Sequence, residues 1–559
     1  MPGTRRSSAA EAPSAPDGAE RGGGPGRRGT LCSAPVTDGT ALADAADETL
    51  RPLSRARNAS WWNANVEATE ENARLRADAE LAYSHALADR ELFAAVQAAR
   101  TADRGSLAQR RLDLLQDTML PNQVPDALRS RIVELEAAVE MRFAAHRGVV
   151  GGREVDDNEL KRILRSSDDP AERREAWEAS KTVGAAVADD VRELARLRNE
   201  AARALGHRDW FALSLATDEM DEEKLAATLA AADRVTAEPF ARWKHALDER
   251  LAARFGCETV DLRPWHYADP FFQEVPAEGG VDLDPLFEGS DVVELGKRTF
   301  DGMGIEVDGI LERSDLYPRP AKCQHAFCLD VDRAGDVRVL ANVVPDARWA
   351  ETMLHELGHG VYDLGFDEAL PWGLRRTHLV TTEATAILFG GLASQQEWLE
   401  RVLGVTRGEA EELETRLRAA RAADLLVFTR WVLVMNGFER ALYGDPDADL
   451  DRIWWELVLR HQLVTPPEGR RAPDWAAKIH VAVAPVYYHT YLYGSIVALQ
   501  LRDALAASAG GLVDRPEAGR ALQRTLFAPG ESVRWDRLVE QASGAPLSVD
   551  SLEREVAAA

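Results

Sequence analysis

The segment Glu351-Thr352-Met353-Leu354-His355-Glu356-Leu357-Gly358-His359-Gly360 holds two histidines four positions apart, with a glutamate directly after the first. Four residues of α-helix turn the chain by about 400°, so both imidazoles leave one face and can grip one ion. Glu356 projects from the same side and can reach a water on that ion. Such an arrangement is the geometry of a zinc hydrolase. Two histidines need a third protein ligand, with the fourth zinc position left to water. Glu383, 24 residues beyond His359, opens the otherwise apolar run Ala384-Thr385-Ala386-Ile387-Leu388 and is the best candidate. An acid there can also be an ordinary solvated residue that favours the helix dipole.

Hydrolysis of a peptide also needs an oxyanion stabiliser and a grip on the substrate. Lys478 suits a carboxylate or carbonyl, and His480 a carbonyl. Tyr488 and Tyr491 are three apart, neighbours on a helix, and their phenols can donate to a developing oxyanion. Singly, each is more often surface or core; the cluster is the signal.

The elements that must position these groups are mostly helical. From Trp61-Trp62 to about Phe255 the chain is rich in Ala, Leu, Glu and Arg; Leu81, Ala88, Leu92 and Ala95, then Val133, Leu135, Ala138, Val139 and Met141, suggest buried faces. Gly206 reads as the end of one helix, with a restart near Asp209-Trp210, and another helix is expected within 292–303. Residues 256–319, with Asp269-Pro270-Phe271-Phe272, read as a packed irregular connection. The one clear β signal is a hairpin, residues 324–332 and 337–344 about a turn at Arg333-Ala334-Gly335-Asp336, immediately before the histidine helix. A strand edge there can pair with an extended peptide. Helical patterning returns after Val380, with breaks at Gly444-Asp445-Pro446 and Thr465-Pro466-Pro467, and a terminal helix starts about Trp535. Residues 1–55 are low in complexity and are expected to be a disordered tail; residues 56–559 are expected to form one domain.

The chain has 559 residues, 45% hydrophobic and 29% charged, with a formal net charge of −26. That acidity disfavours nucleic acid and anionic lipid as partners. Four scattered cysteines argue against a disulfide framework and for a reducing compartment. Cys323, His325 and Cys328 lie close together, but no matching ligand pair follows, and part-buried thiols are expected. Neither an apolar signal-peptide core near the N-terminus nor an apolar run long enough to cross a bilayer is found; a cytoplasmic monomer is expected.

His355-Glu356-Leu357-Gly358-His359, the gap to Glu383, Leu370-Pro371 with Leu374-Arg375-Arg376, Trp454-Trp455, Pro466-Pro467, and Lys478 two before His480 resemble the angiotensin-converting-enzyme family of dipeptidyl carboxypeptidases. The Tyr-Tyr-x-x-Tyr segment and Pro529-Gly530-Glu531-Ser532 are similar to the related thimet-oligopeptidase branch. The resemblance implies a mostly α, two-lobed gluzincin with a deep central cleft and a small antiparallel sheet beside the zinc helix. It implies one Zn2+ per chain on His355, His359 and Glu383, a metal-bound water activated by Glu356, and short peptides as substrates. His325 and His480 would contact substrate, and Ala326 would offer backbone hydrogen bonds. Lys478 and Tyr488 would hold a C-terminal carboxylate, and Tyr491 would stabilise the tetrahedral intermediate. The tyrosine assignments need a one-residue insertion after His480, which makes Tyr487 a rival for Tyr488.

Three departures stand out. Ile387 occupies the place of the family's acid that orients a zinc histidine, leaving Asp363 as one candidate for that task. Thr490 replaces an arginine that helps bind chloride, which puts chloride activation in doubt. No counterpart of the glutamine that helps bind the C-terminal carboxylate is evident, so internal cleavage by an oligopeptidase competes with release of C-terminal dipeptides. A catalytically weak zinc-containing peptide-binding protein is the alternative from a different class.

Overall fold

The computed structural model describes residues 39–100, 105–276 and 281–557, and residues 38–559 form one compact unit. The architecture is mostly α with two small antiparallel sheets. The first helix, α1 (Gly39–Val66), buries Ala43, Ala46, Leu50 and Trp62. It covers residues 39–55, which the composition assigned to a disordered tail; that boundary is corrected, and residues 1–38 lie outside the described part. An amphipathic stripe at helical spacing outweighs the alanine-rich composition, because its apolar face finds a partner.

Strands β1 (Gly148–Val150) and β2 (Arg153–Val155) form a hairpin about Gly151-Gly152, inside the stretch expected to be wholly helical. Its strands are too short for alternation to show in the sequence. The long helices α2 (Pro170–Ala204) and α3 (Glu222–Phe255) follow, with a break at Gly206 and a restart at Trp210 as expected. Several expected stripe residues prove exposed, among them Leu81, Val133 and Met141; Val139 is buried as expected, but its companions on the buried face of helix 126–145 are Leu128 and Ile132. The stripe as drawn mixed two faces of that helix.

The hairpin before the histidine helix is present but shorter than expected: β3 (Phe327–Asp330) pairs with β4 (Val337–Leu340), in register Phe327↔Leu340 to Asp330↔Val337. Trp61 of α1 packs edgewise on Phe327 with ring centroids 4.4 Å apart, and Asn58 donates to the Asp330 carbonyl at 3.0 Å. Next come α4 (Ala347–Leu364), α5 (Leu379–Gly390), α6 (Arg407–Gly444), α7 (Leu450–Gln462) and α8 (Tyr488–Ala509). Asp346 caps α4 by accepting from the Trp349 N–H at 2.7 Å. Ala350, Met353, Leu354, Leu357 and Val361 put one face of α4 into the core, which leaves His355, Glu356 and His359 on the other side. No helix among the described residues is long and apolar enough to cross a membrane.

Helix α5 packs directly on both α4 and α8. Two glycines make the approach this close. A Cβ on Gly358 would lie 3.0 Å from Ala386 Cα, and a Cβ on Gly494 would lie 3.0 Å from Glu383 Cβ. The backbone of α5 is thus gripped between α4 and α8 at the turn that carries Glu383.

Candidate metal centre

His355 and His359 leave α4 one turn apart, with ring centroids 5.0 Å apart. Glu383 comes from the second turn of α5, and the three side chains offer ligand atoms all within 4.8 Å of one another. His355 Nε2 stands 4.0 Å from Glu383 Oε2, somewhat wider than the roughly 3.4 Å between two ligands of a tetrahedral zinc with bonds of about 2.1 Å. Among the described residues this is the one group of three such side chains that converges.

The electrostatics fit a cation. Burial pushes His355 down to about 4; burial, then repulsion from His355, brings His359 to about 3, so both rings are neutral ligands at neutral pH. Burial pushes Glu383 up to about 7, against the approach of the Tyr487 hydroxyl. Glu356 is pushed to about 8 by burial and then by Glu383, while the backbone N–H of Cys328 on β3 acts the other way. Two carboxyls crowded in a dry site, with no lysine or arginine acting on either, are stabilised by a bound metal ion.

The ring orientation of His359 is set by a residue the sequence did not flag. His359 Nδ1 lies 2.6 Å from Thr382 Oγ1, which leaves Nε2 for a metal. Asp363, one candidate for that task, has no hydrogen bond to either histidine among the described residues; burial pushes its carboxyl well up, Asp330 adds repulsion and Arg333 opposes the shift. Asp363 points to the hairpin side of α4. Ile387 stays apolar and meets α8 at Gly494.

The residues expected to meet substrate come from three segments. Asp474 is clamped by Arg470 at 2.6 and 2.7 Å and by Trp455 Nε1 at 3.2 Å, which fixes the 3-10 turn Asp474–Ala477 ahead of Lys478. Buried Asp269 accepts from the N–H groups of Phe271, Gln273 and Glu274 at 2.8, 2.9 and 3.0 Å. That loop brings Gln273 Oε1 to 2.7 Å from Lys478 Nζ. Gln273 is therefore a glutamine partner for the lysine that the sequence did not reveal; the only local hint was an Asp-Pro turn running into aromatic residues. Lys478 sits over Phe271, Trp431 and Tyr488 with Nζ 5.4 to 5.6 Å from each centroid, and burial lowers it to about 8.

The tyrosines separate by environment. Tyr488 is buried against Trp431 and His480, beside Lys478. Tyr487 and Tyr491 face Glu383, and burial with the charge of Glu383 raises Tyr491 to about 12 and Tyr487 further. His480, lowered to about 4 by burial and Lys478, keeps a buried Nδ1 without a partner. His325 and Ala326 lie just ahead of β3, His325 exposed and Ala326 half-buried.

A mostly helical protein with a histidine pair and glutamate converging from two crossed helices, a second glutamate beside them and a short hairpin alongside has the build of a gluzincin-type metallopeptidase. The profile of the peptidase family described as Angiotensin-converting enzyme matches residues 37–247 and 311–552, and the chain belongs to that family. It is 23% identical over 534 residues to an angiotensin-converting enzyme of Mesocricetus auratus, covering 86% of this chain and 40% of that protein. It is 22% identical over 435 residues to an angiotensin-converting enzyme-related protein of Drosophila melanogaster, covering 69% of this chain and 67% of the relative. The chain thus spans well under half the length of the hamster relative.

Proposed function

We propose that this chain is a zinc peptidase acting on short peptides, with zinc held by His355, His359 and Glu383. The observation that carries this reading is the convergence of those three side chains beside Glu356. Bound zinc would polarise the scissile carbonyl and acidify water. Glu356 takes a proton from the attacking water and hands it to the leaving amine. Tyr491 donates to the oxygen that gains charge, as its high pKa keeps it protonated. His480 offers its unpartnered ring nitrogen to a substrate carbonyl, and His325 and the Ala326 backbone contact the peptide along β3. In this reading the substrate lies in a cleft between two helical halves of residues 56–559, which limits it to short peptides.

The pairing of Lys478 with Gln273 favours release of C-terminal dipeptides over internal cleavage. A lysine and an amide side by side in an aromatic cage suit a free carboxylate, and Tyr488 completes the group. Glu356→Gln is expected to retain stoichiometric zinc and lose about 10²–10⁴-fold of its hydrolysis rate; undiminished turnover would sink the mechanism. Amidating the C-terminus of a test peptide separates the modes, since cleavage that survives amidation counts against the exopeptidase.

A further inference from the structure

A short link, Ala482 to Val486, joins the turn that carries His480 to the tyrosines that open α8. Helix α8 begins at Tyr488, and Tyr487 ahead of it makes no side-chain cap, so the direction of its first turn is set elsewhere. Val486 is 2% exposed and takes a φ of +59°. A β-branched side chain crowds its own backbone there, and such a residue persists only where its surroundings hold it.

What holds it is a carboxyl from α6. Glu439, 1% exposed, accepts from the Val486 N–H through Oε1 at 2.7 Å. The other end of the link is fastened by buried Arg198 of α2, which donates to the Ala482 carbonyl. The same guanidinium donates to the Tyr443 hydroxyl at 3.1 Å and to Glu136, which anchors it on two further helices. Tyr443 stands one turn beyond Glu439 on α6, so both fastenings meet at the end of that helix. Burial raises Glu439 to about 8, against the pull of the Val486 N–H and Arg198, so an uncharged acceptor suits its position. Neither α2 nor α6 carries any of the three converging metal-type side chains, which come from α4 and α5.

We propose that Glu439 and Arg198 are positioning residues that clamp the two ends of the 482–486 link and so aim Tyr491 and His480 at the substrate, independently of the metal ligands. The proposal rests on the peptidase reading above. With the clamp open, the strain at Val486 would relax, and the first turn of α8 with Tyr488 and Tyr491 would turn with it.

The test compares Glu439→Gln, Glu439→Asp and Glu439→Met in the zinc-loaded full chain, with kcat taken per bound zinc well below the Tm of each. Glu439→Gln keeps the acceptor at full reach and should retain kcat within about twofold. Glu439→Met removes the acceptor, and Glu439→Asp is a methylene too short to close the 2.7 Å contact. Both should lower kcat by about tenfold or more, since a small misplacement of a donor to the reacting oxygen is enough. Zinc affinity, read by chelator competition, should stay unchanged in all three. Arg198→Met should likewise lower kcat/KM at unchanged zinc affinity, through His480. A role in stability alone would lower Tm and leave kcat per bound zinc as it is, which overturns the proposal. It is also overturned if Glu439→Asp keeps full kcat while Glu439→Gln loses it, because charge rather than the bond to Val486 would then matter. If Glu439→Met does not fold, the contrast of Asp with Gln still decides. If the native chain hydrolyses no peptide, the peptidase reading fails, and amide hydrogen exchange decides the clamp: faster exchange over 482–491 in Glu439→Asp than in Glu439→Gln supports it, and equal exchange overturns it.

Discussion

Thr382, not Asp363, is the group in contact with a ring nitrogen of the histidine pair. Its hydroxyl is one residue before Glu383, so a single turn of α5 carries both the proposed carboxylate ligand and the partner of His359. Thr382→Val is expected to weaken zinc binding by about 10–100-fold, read by competition with a chelator, while Thr382→Ser restores it. Lys478 carries a prediction in pH. Its pKa is lowered to about 8 by burial, so the free protein loses this positive charge as pH rises through that value. KM for a peptide with a free C-terminus should therefore rise above about pH 8, and Lys478→Gln should raise KM at lower pH and flatten that limb. The histidines and Glu356 were legible in the sequence because helical periodicity puts them on one side of one helix, and Glu383 because of its place 24 residues beyond His359. Thr382 and Gln273 were not, since each acquires its partner only when segments from elsewhere in the chain fold against it, and neither residue type is rare enough to stand out.

The geometry of the centre depends on how closely three helices approach. Gly494→Ala would place a methyl 3.0 Å from Glu383 Cβ and 3.4 Å from the Ala384 nitrogen. Overpacking of this kind costs about 1–3 kcal/mol, and here it pushes α5 away from the histidines. The expected result is a lowered Tm together with weaker zinc binding; unaltered zinc affinity would show that Glu383 is placed by something else. The main helices and their breaks at Gly206, Gly304 and Gly444 could be read directly, because long periodic runs, glycines that take positive φ at 206 and 304, and the Gly-Asp-Pro stop at 444–446 leave strong marks. The β1–β2 hairpin could not, with three residues per strand. The start of α1 was hidden by composition: Ala43, Ala46 and Leu50 form a stripe of small residues that looks like filler until Arg111 pairs with Asp44 and Asp47 at 2.7 and 2.6 Å.

Across the whole molecule, a net charge of −26 sets up a field that draws cationic peptides and repels anionic ones. Raising ionic strength should lower kcat/KM for positively charged peptides and raise it for negatively charged ones, with kcat little changed; a salt response independent of peptide charge would place the effect elsewhere. The contact of α5 with α4 and α8 through Gly358 and Gly494 also bears on how the protein handles loss of its metal. Close packing at these two glycines sets the spacing of the helices, so the donor atoms are expected to wait in position. Stripping the metal with a chelator should leave the far-ultraviolet circular dichroism unchanged, and zinc added back should restore activity in one second-order step without a refolding lag. The centre would then behave as a socket: occupancy tracks the zinc available, and an empty molecule remains a folded one that can be switched on again.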